Sequence, residues 1–354
     1  MFITGLGTAT PPRRYLQSEC WEAAQSAAQF SRLNLRSRAI IKKVLRGDNG
    51  IESRHLGLDS LTEVFDLTPD ALHARFTKHA PVLATQAAER ALHEAGLLPR
   101  DIDAIIISTC TGYLCPGLTS YVSERLGLRA NALCLDLVGQ GCGAAIPNLR
   151  TGEALLAAGR CGQVLSICVE VCSAAFYLDN DPGVLISACL FGDGAGAMVL
   201  SHKPNPRRRP VKWLATTTAL SPANRELLRF EQRGGMLRNI LSPEVPAAAA
   251  QAADEVLQNV LSAAGAKREQ IRAWVWHAGG REVLVALRKK LNLTETDVRH
   301  SAAVLRKLGN ISSPCVYFVL QATLADNAPD GLWWMSSFGA GFSCHGALLE
   351  VGKL

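Results

Sequence analysis

The tightest constraint on the fold is a regular alternation of strand-like and helix-like segments through the first half of the chain. Residues 102–108 form a short apolar run, rich in isoleucine, of the length of a buried strand. Before it, residues 80–94 carry apolar side chains at helical spacing and stop at Gly96. After it come a short helix over 120–128, a strand over 132–138, a helix over 148–158 closed by Gly159, and a strand over 164–171. A strand-like run over 1–7 leads into Pro11-Pro12. Strands that alternate with helices stack helices on the faces of a sheet, so an α/β fold with a mostly parallel sheet is expected.

The pattern then returns. Leu190-Phe191-Gly192-Asp193-Gly194-Ala195-Gly196 opens an apolar strand to Leu200, and Ser337-Phe338-Gly339-Ala340-Gly341 opens another to Val351. Between them lie a helix over 247–264, a strand over 273–276 and a helix over 281–291. Two similar α/β halves, 1–203 and 204–354, joined at the proline-rich stretch 204–210, are the economical reading.

Composition narrows the class. Of the 354 residues, 48% are hydrophobic and 19% charged, which is an ordinary globular balance. No apolar run approaches the roughly 20 residues of a transmembrane helix, and no charged-then-apolar leader opens the chain. A soluble, cytoplasmic protein is expected. Eleven cysteines without a leader do not suggest a disulfide framework, and no CxxC pair suggests a metal site. The net charge of +6 gathers at residues 36–46 and 207–209. Without interleaved aromatics these clusters do not make a nucleic-acid surface; the first suits an anionic small molecule.

Three residues stand where chemistry could be done. Cys142 sits between Gly141 and Gly143, where a buried strand breaks into a helix. Free N–H groups and the helix dipole there favour a thiolate, and the same N–H groups could hold an oxyanion. A packed core thiol explains the position equally well. His277 ends the strand over 273–276 and precedes Ala278-Gly279-Gly280, at the strand end where open α/β sheets bind ligands. A satisfied structural histidine competes with that reading. Asn310, between Gly309 and Ile311-Ser312-Ser313-Pro314, also fits an ordinary turn. Together the three fit one mechanism, in which a cysteine takes an acyl group while histidine and asparagine hold the oxygen of an enolate.

The motifs Gly139-Gln140-Gly141-Cys142, Leu190-Phe191-Gly192-Asp193-Gly194, His277-Ala278-Gly279-Gly280 and Gly309-Asn310-Ile311-Ser312-Ser313 resemble those of the type III polyketide synthases. This is the chalcone and stilbene synthase family of the thiolase superfamily. The resemblance runs from Thr4-Gly5-Leu6-Gly7 to Gly346-Ala347-Leu348-Leu349-Glu350. It implies a thiolase-like fold of two similar βαβαβαββ halves in α-β-α-β-α layers, the first carrying Cys142 and the second His277 and Asn310. It also implies Phe191 as gatekeeper, coenzyme A thioesters as substrates, no metal or bound cofactor, and a homodimer. Lys43 and Arg46 match two of three basic residues for the coenzyme A phosphates; the third has no match at Asp48–Gly50.

The cavity positions implied by the family depart from its plant pattern. Cys110 and Thr111 stand for a Thr-Ser or Thr-Thr pair, Cys172 and Ala175 replace threonines, and Ser312 is retained. Cys115 falls where a residue reaches into the partner subunit, and the loop with Phe338 and Gly339 lacks a proline. Exchanging hydroxyls for Cys and Ala makes the wall wider and more apolar. A long fatty acyl-CoA starter is therefore expected, extended with malonyl-CoA and cyclised to an alkylresorcinol or alkylpyrone. The starter could also come from an acyl carrier protein or an upstream fatty-acid synthase. A ketoacyl-ACP synthase III, a degradative thiolase using Cys344, and a catalytically inert thiolase-fold binding protein are the competing readings.

Overall fold

The computed structural model describes residues 1–353. Its chain begins with β1 (Phe2–Ala9), then β2 (Arg14–Leu16), α1 (Gln17–Ser26), α2 (Ala28–Ser31), α3 (Leu35–Arg46) and β3 (Ser53–His55). The long α4 (Pro69–Ala95) leads to β4 (Ala104–Thr109), α5 (Leu118–Leu126), β5 (Leu133–Val138), α6 (Ala145–Ala157) and β6 (Gln163–Glu170). Then come α7 (Pro182–Leu190), β7 (Gly194–Ser201), β8 (Val211–Leu220) and a hairpin of β9 (Leu228–Arg233) and β10 (Met236–Leu241). The chain closes with α8 (Val245–Ala264), β11 (Ile271–Trp276), α9 (Arg281–Leu291), α10 (Glu295–Leu308), α11 (Cys315–Ala325), β12 (Gly331–Gly339) and β13 (Ser343–Val351).

Nine strands form one sheet in the order β11-β12-β13-β8-β1-β7-β6-β4-β5. The block β4-β6-β7-β1 recurs as β11-β12-β13-β8, with the same succession of one parallel and two antiparallel pairings. The blocks meet where Phe2 and Ile3 of β1 pair with Lys212 and Val211 of β8. The sheet is mixed rather than mostly parallel, because the strand after each glycine turn, β7 or β13, runs back against its predecessor. β5 has no counterpart in the second block.

Helices α4 and α5 cover the outer face of the first block. Glycines let α4 come close: a Cβ at Gly5 or Gly7 would stand 2.1 and 2.2 Å from carbonyl oxygens of Ala91 and Ala87. On the other face, α6 and α11 form a central layer shared with the second block, whose outer side carries α8 and α9. The central layer is keyed by buried polar groups. Asn148 of α6 donates to Ser108 Oγ at 2.8 Å, and Tyr317 of α11 shares a hydrogen bond with Ser166 Oγ at 2.8 Å. The result is the layered α-β-α-β-α arrangement.

Two local expectations change. The helix expected over 80–94 starts at Pro69, with Pro81 inside it. Burial of Phe76, Ala80, Ala84 and Ala87 against the sheet outweighs the hydrogen bond Pro81 cannot make. The strand over 132–138, read as buried, is the sheet edge, with Leu133 and Val138 exposed by 42% and 56%.

Candidate active site

The turn after β5 is made by glycines that take left-handed backbone, Gly139 at φ +84° and Gly141 at φ +59°. One 3₁₀ turn, Gly141–Gly143, then precedes α6 and holds Cys142. The loop is stacked backbone on backbone against the end of β12. A Cβ on Gly143 would meet Gly339 N at 2.9 Å, and one on Gly339 would meet Gln140 O at 2.4 Å. Ser337 Oγ adds a hydrogen bond to Gly143 O at 3.0 Å. Phe338 and Gly339 thus back the nucleophile loop and do not line the cavity in front of it.

Cys142 packs with Phe191 and Cys172 in one buried apolar cluster. Ser312, itself at φ +56°, donates from Oγ to Cys142 Sγ at 3.2 Å. Burial pushes the Cys142 thiol up to about 12; the Ser312 hydrogen bond pulls it down and the nearby Glu170 charge pushes it up. Desolvation here opposes the helix terminus and favours the protonated thiol in the resting protein.

His277 is also neutral, since burial lowers it to about 4. Its N–H donates to Ser336 O at 2.9 Å, which fixes the backbone at the end of β11, and its ring lies 6.5 Å from that of Phe338. Its Nδ1 is buried without a hydrogen-bond partner among the described residues. Asn310 spans the site. Its Nδ2 donates to Gly279 O at 3.0 Å and its Oδ1 accepts from Ser312 N at 2.9 Å. Its backbone bonds Leu190 O and Gly192 N, both at 2.9 Å, so Asn310 and Phe191 lie side by side.

Glu170, at the end of β6, is a functional candidate that sequence reasoning passed over. It is fully buried and accepts from Cys110 N at 3.0 Å, Thr111 Oγ1 at 2.9 Å, and the hydroxyls of Thr109 and Ser313, while Ser312 Oγ, whose one proton goes to Cys142 Sγ, lies 3.4 Å away. Desolvation raises its carboxyl, and those hydrogen bonds oppose the rise. The available signal was a single carboxylate closing an otherwise uncharged strand.

A small cavity of about 20 Å³ lies in front of Phe191 and is lined by Thr111, Cys172, Ala175 and Ser312 among the expected residues. Phe176, Phe230 and Asn239, the last two from the β9–β10 hairpin, line it as well. Cys110 lines an adjoining open groove with Gly139 and Gly141. Cys115 stands exposed on the loop after β4 and lines neither. Lys43 and Arg46 occupy the last turn of α3, exposed and outside any ion pair among the described residues. Asp48 beyond them binds Arg281, the first residue of α9, at 2.8 Å. Cys344 is fully buried within β13.

A duplicated α/β fold with a cysteine at a strand–helix turn, a buried histidine and a bridging asparagine defines a thiolase-fold condensing enzyme. The family model described as FAE1/type III polyketide synthase-like protein matches residues 13–227, and the chalcone and stilbene synthase C-terminal domain matches 217–350. The chain belongs to the type III polyketide synthases, acyltransferases that join acyl units by decarboxylative Claisen condensation. It is 28% identical over 360 residues to a 3,5-dihydroxyphenylacetyl-CoA synthase of Streptomyces toyocaensis, covering 98% of this chain and 89% of that one. It is 30% identical over 356 residues to a 1,3,6,8-tetrahydroxynaphthalene synthase of Streptomyces peucetius subsp. caesius, covering 98% and 92%. The crystal structure of 1,3,6,8-tetrahydroxynaphthalene synthase from Streptomyces coelicolor superposes with a TM-score of 0.88, at 21% identity and full coverage of both chains. Substrates of the family are coenzyme A thioesters. The family match goes against the ketoacyl-ACP synthase III and inert-protein readings.

Proposed function

We propose that Cys142 carries the acyl chain of a fatty acyl-CoA starter, which malonyl-CoA extends and which then closes to an alkylresorcinol or alkylpyrone. As sulfur attacks the starter thioester, its proton passes to neutral His277. The tetrahedral intermediate expels coenzyme A thiolate, which takes that proton back. Malonyl-CoA then loses CO₂, and its two electrons become an enolate whose oxygen accepts hydrogen bonds from His277 and Asn310. The enolate carbon attacks the Cys142 thioester carbonyl and releases the thiolate, ready for the next transfer. Asn310 suits this role because its amide donates without titrating, and the unpartnered Nδ1 leaves His277 a nitrogen free for chemistry.

The observation that carries the starter assignment is the cavity wall. Cys172, Ala175, Phe176, Val184 and Ala188 offer apolar surface, and Thr111, Ser187, Asn239 and Ser312 add only a few polar groups. A second reading has one specific support: the bacterial relatives are named for small polyhydroxylated aromatic products without an alkyl tail. Purified protein given acyl-CoAs of graded length with labelled malonyl-CoA separates the two. Alkyl-substituted products from long starters are expected; products from malonyl-CoA alone overturn the assignment.

A homodimer and the cytoplasm are part of the same proposal. Exposed Leu133 and Val138 on the edge strand β5, with Tyr113 exposed by 71%, supply an apolar face for a second copy, and Cys115 lies on the same loop as Tyr113. No helix among the described residues is long and apolar enough to cross a membrane. Lys43 and Arg46 are assigned to the coenzyme A phosphates; a carrier protein is the alternative donor of the starter.

A further inference from the structure

We propose that Arg54 is a positioning residue for the condensation, which sets Asn310 and Phe191 against each other, an assignment that rests on the enolate role given to Asn310 above. Arg54 lies in β3, a strand of three residues outside the nine-stranded sheet and paired with β2. It is buried and makes no ion pair among the described residues. Its Nη1 donates to Ala188 O at 2.8 Å and to Phe191 O at 2.9 Å, and its Nε donates to Gln17 Oε1 at 3.0 Å. Gln17, also buried, donates from Nε2 to Cys189 O at 3.0 Å.

These bonds close the end of α7. A helix leaves its last four carbonyls without partners of its own. Phe191 N still bonds Ser187 O, and the four carbonyls beyond it are all taken from outside the helix. Ala188 and Phe191 accept from Arg54, Cys189 from Gln17, and Leu190 from Asn310 N at 2.9 Å. The guanidinium also meets the negative end of the helix dipole. On its other side lies Gly309, at φ +72°, where a Cβ would stand 3.0 Å from Arg54 Cγ and 2.6 Å from Leu190 O. Asn310 follows directly. The neighbours of Arg54 bind the same two segments: Ser53 Oγ donates to Lys307 O, and His55 O accepts from Asp193 N, both at 2.8 Å. Strand β3 thus ties the turn before Asn310 to the residues on either side of Phe191.

A buried cation without a carboxylate is costly, and an apolar side chain would fill the same space at lower cost. What an apolar side chain lacks is a set of donors fixed in one plane. Asn310 depends on that plane because its backbone is bonded on both sides of Phe191, to Leu190 O and to Gly192 N. If the end of α7 drifts, the Asn310 amide drifts with it. Cys142 is held differently, on a turn backed by Gly339 and Ser337. Loss of Arg54 should therefore disturb the enolate step and leave the nucleophile turn in place.

Two measurements separate these steps. Decarboxylation of malonyl-CoA, in which the enolate is protonated to acetyl-CoA, reads the enolate site without any starter. Alkylation of Cys142 by iodoacetamide reads the nucleophile turn. Arg54→Lys keeps the charge without the planar fork, Arg54→Met keeps only the stem, and Gln17→Met removes the brace on Arg54 Nε. The kcat for decarboxylation is expected to fall about 100-fold in Arg54→Met, about tenfold in Arg54→Lys and about threefold in Gln17→Met. KM for malonyl-CoA and the alkylation rate should stay within about twofold of wild type in all three. Asn310→Ala is the benchmark. A wild type without decarboxylation, or an Asn310→Ala that keeps it, overturns the enolate role and this assignment with it. A loss in Asn310→Ala with none in Arg54→Lys and Gln17→Met overturns the Arg54 assignment alone. Parallel losses of decarboxylation and alkylation make Arg54 a structural residue and overturn it as well. Should Arg54→Met not fold, the other two variants decide.

Discussion

The Ser312 hydroxyl donates to the Cys142 sulfur at 3.2 Å, from a backbone at φ +56° that a residue with a Cβ adopts only at some cost. The strain is stored where it aims a donor at the nucleophile. Among the described residues this is the only hydrogen bond from a neighbouring side chain that lowers the Cys142 thiol against burial. Ser312→Ala keeps the Cβ and removes the donor, so the thiol should rise further. Alkylation of Cys142 by iodoacetamide at pH 9, followed by peptide mass spectrometry, should slow roughly three- to tenfold. An unchanged rate would remove Ser312 from the account.

Glu170 should act in the opposite sense. Its charge raises the Cys142 thiol, so Glu170→Gln should speed the same alkylation several-fold. The amide cannot accept from Cys110 N and from the hydroxyls of Thr109, Thr111 and Ser313 as the carboxylate does. Urea unfolding should therefore show a loss on the order of 1–3 kcal/mol. Slower alkylation with unchanged stability would contradict both halves of the prediction.

The contrast between these residues shows what the sequence made legible. Strands β4, β6 and β11 and helices α8 and α9 are recovered within about two residues, because each is a short apolar run or a strong periodic face between glycine or charged boundaries. Cys142, His277 and Asn310 could be singled out because glycines mark the turns that present them. Glu170 could not, since nothing local distinguishes a buried carboxylate at a strand end from a solvated one. Its meaning lies in hydroxyls brought from Thr109, Thr111, Ser312 and Ser313, far apart in the chain. The edge position of β5 was hidden for a related reason. A Leu-Cys-Leu-Asp-Leu-Val run reads as buried, whether the partner that covers it is in the same chain or a second one.

Two buried histidines lower the stability of the fold toward acid. Burial lowers His277 and His345 to about 4. An unfolded histidine takes up its proton near pH 6.5, whereas the folded one resists until about pH 4. The stabilisation is thus complete above pH 6.5 and is lost as pH falls toward 4. Replacing His345 with Gln should flatten the dependence of unfolding free energy on pH between 6.5 and 4.5 by about one proton relative to wild type. Urea titrations at several pH values measure that slope, and parallel curves for the two proteins would show that His345 is not held neutral.

The clamp on the nucleophile loop makes the sharpest prediction. A methyl at position 143 would lie 2.9 Å from Gly339 N and 3.0 Å from Gly339 Cα, both backbone atoms of a strand paired with β13. Neither can turn aside as a side chain would, so the loop carrying Cys142 must shift. Gly143→Ala should cost about 1–3 kcal/mol from overpacking. A displacement approaching 1 Å should lower kcat/KM for condensation about 100-fold. Gly139→Ala is the matched comparison, because a Cβ there meets nothing within 4 Å and only its φ of +84° is strained. It should lose a similar stability, about 1–2 kcal/mol, with a much smaller loss of turnover. Thermal melting and steady-state product formation on both variants decide the matter. Equal losses of activity would show that backbone strain, and not the contact with Gly339, governs the placement of Cys142.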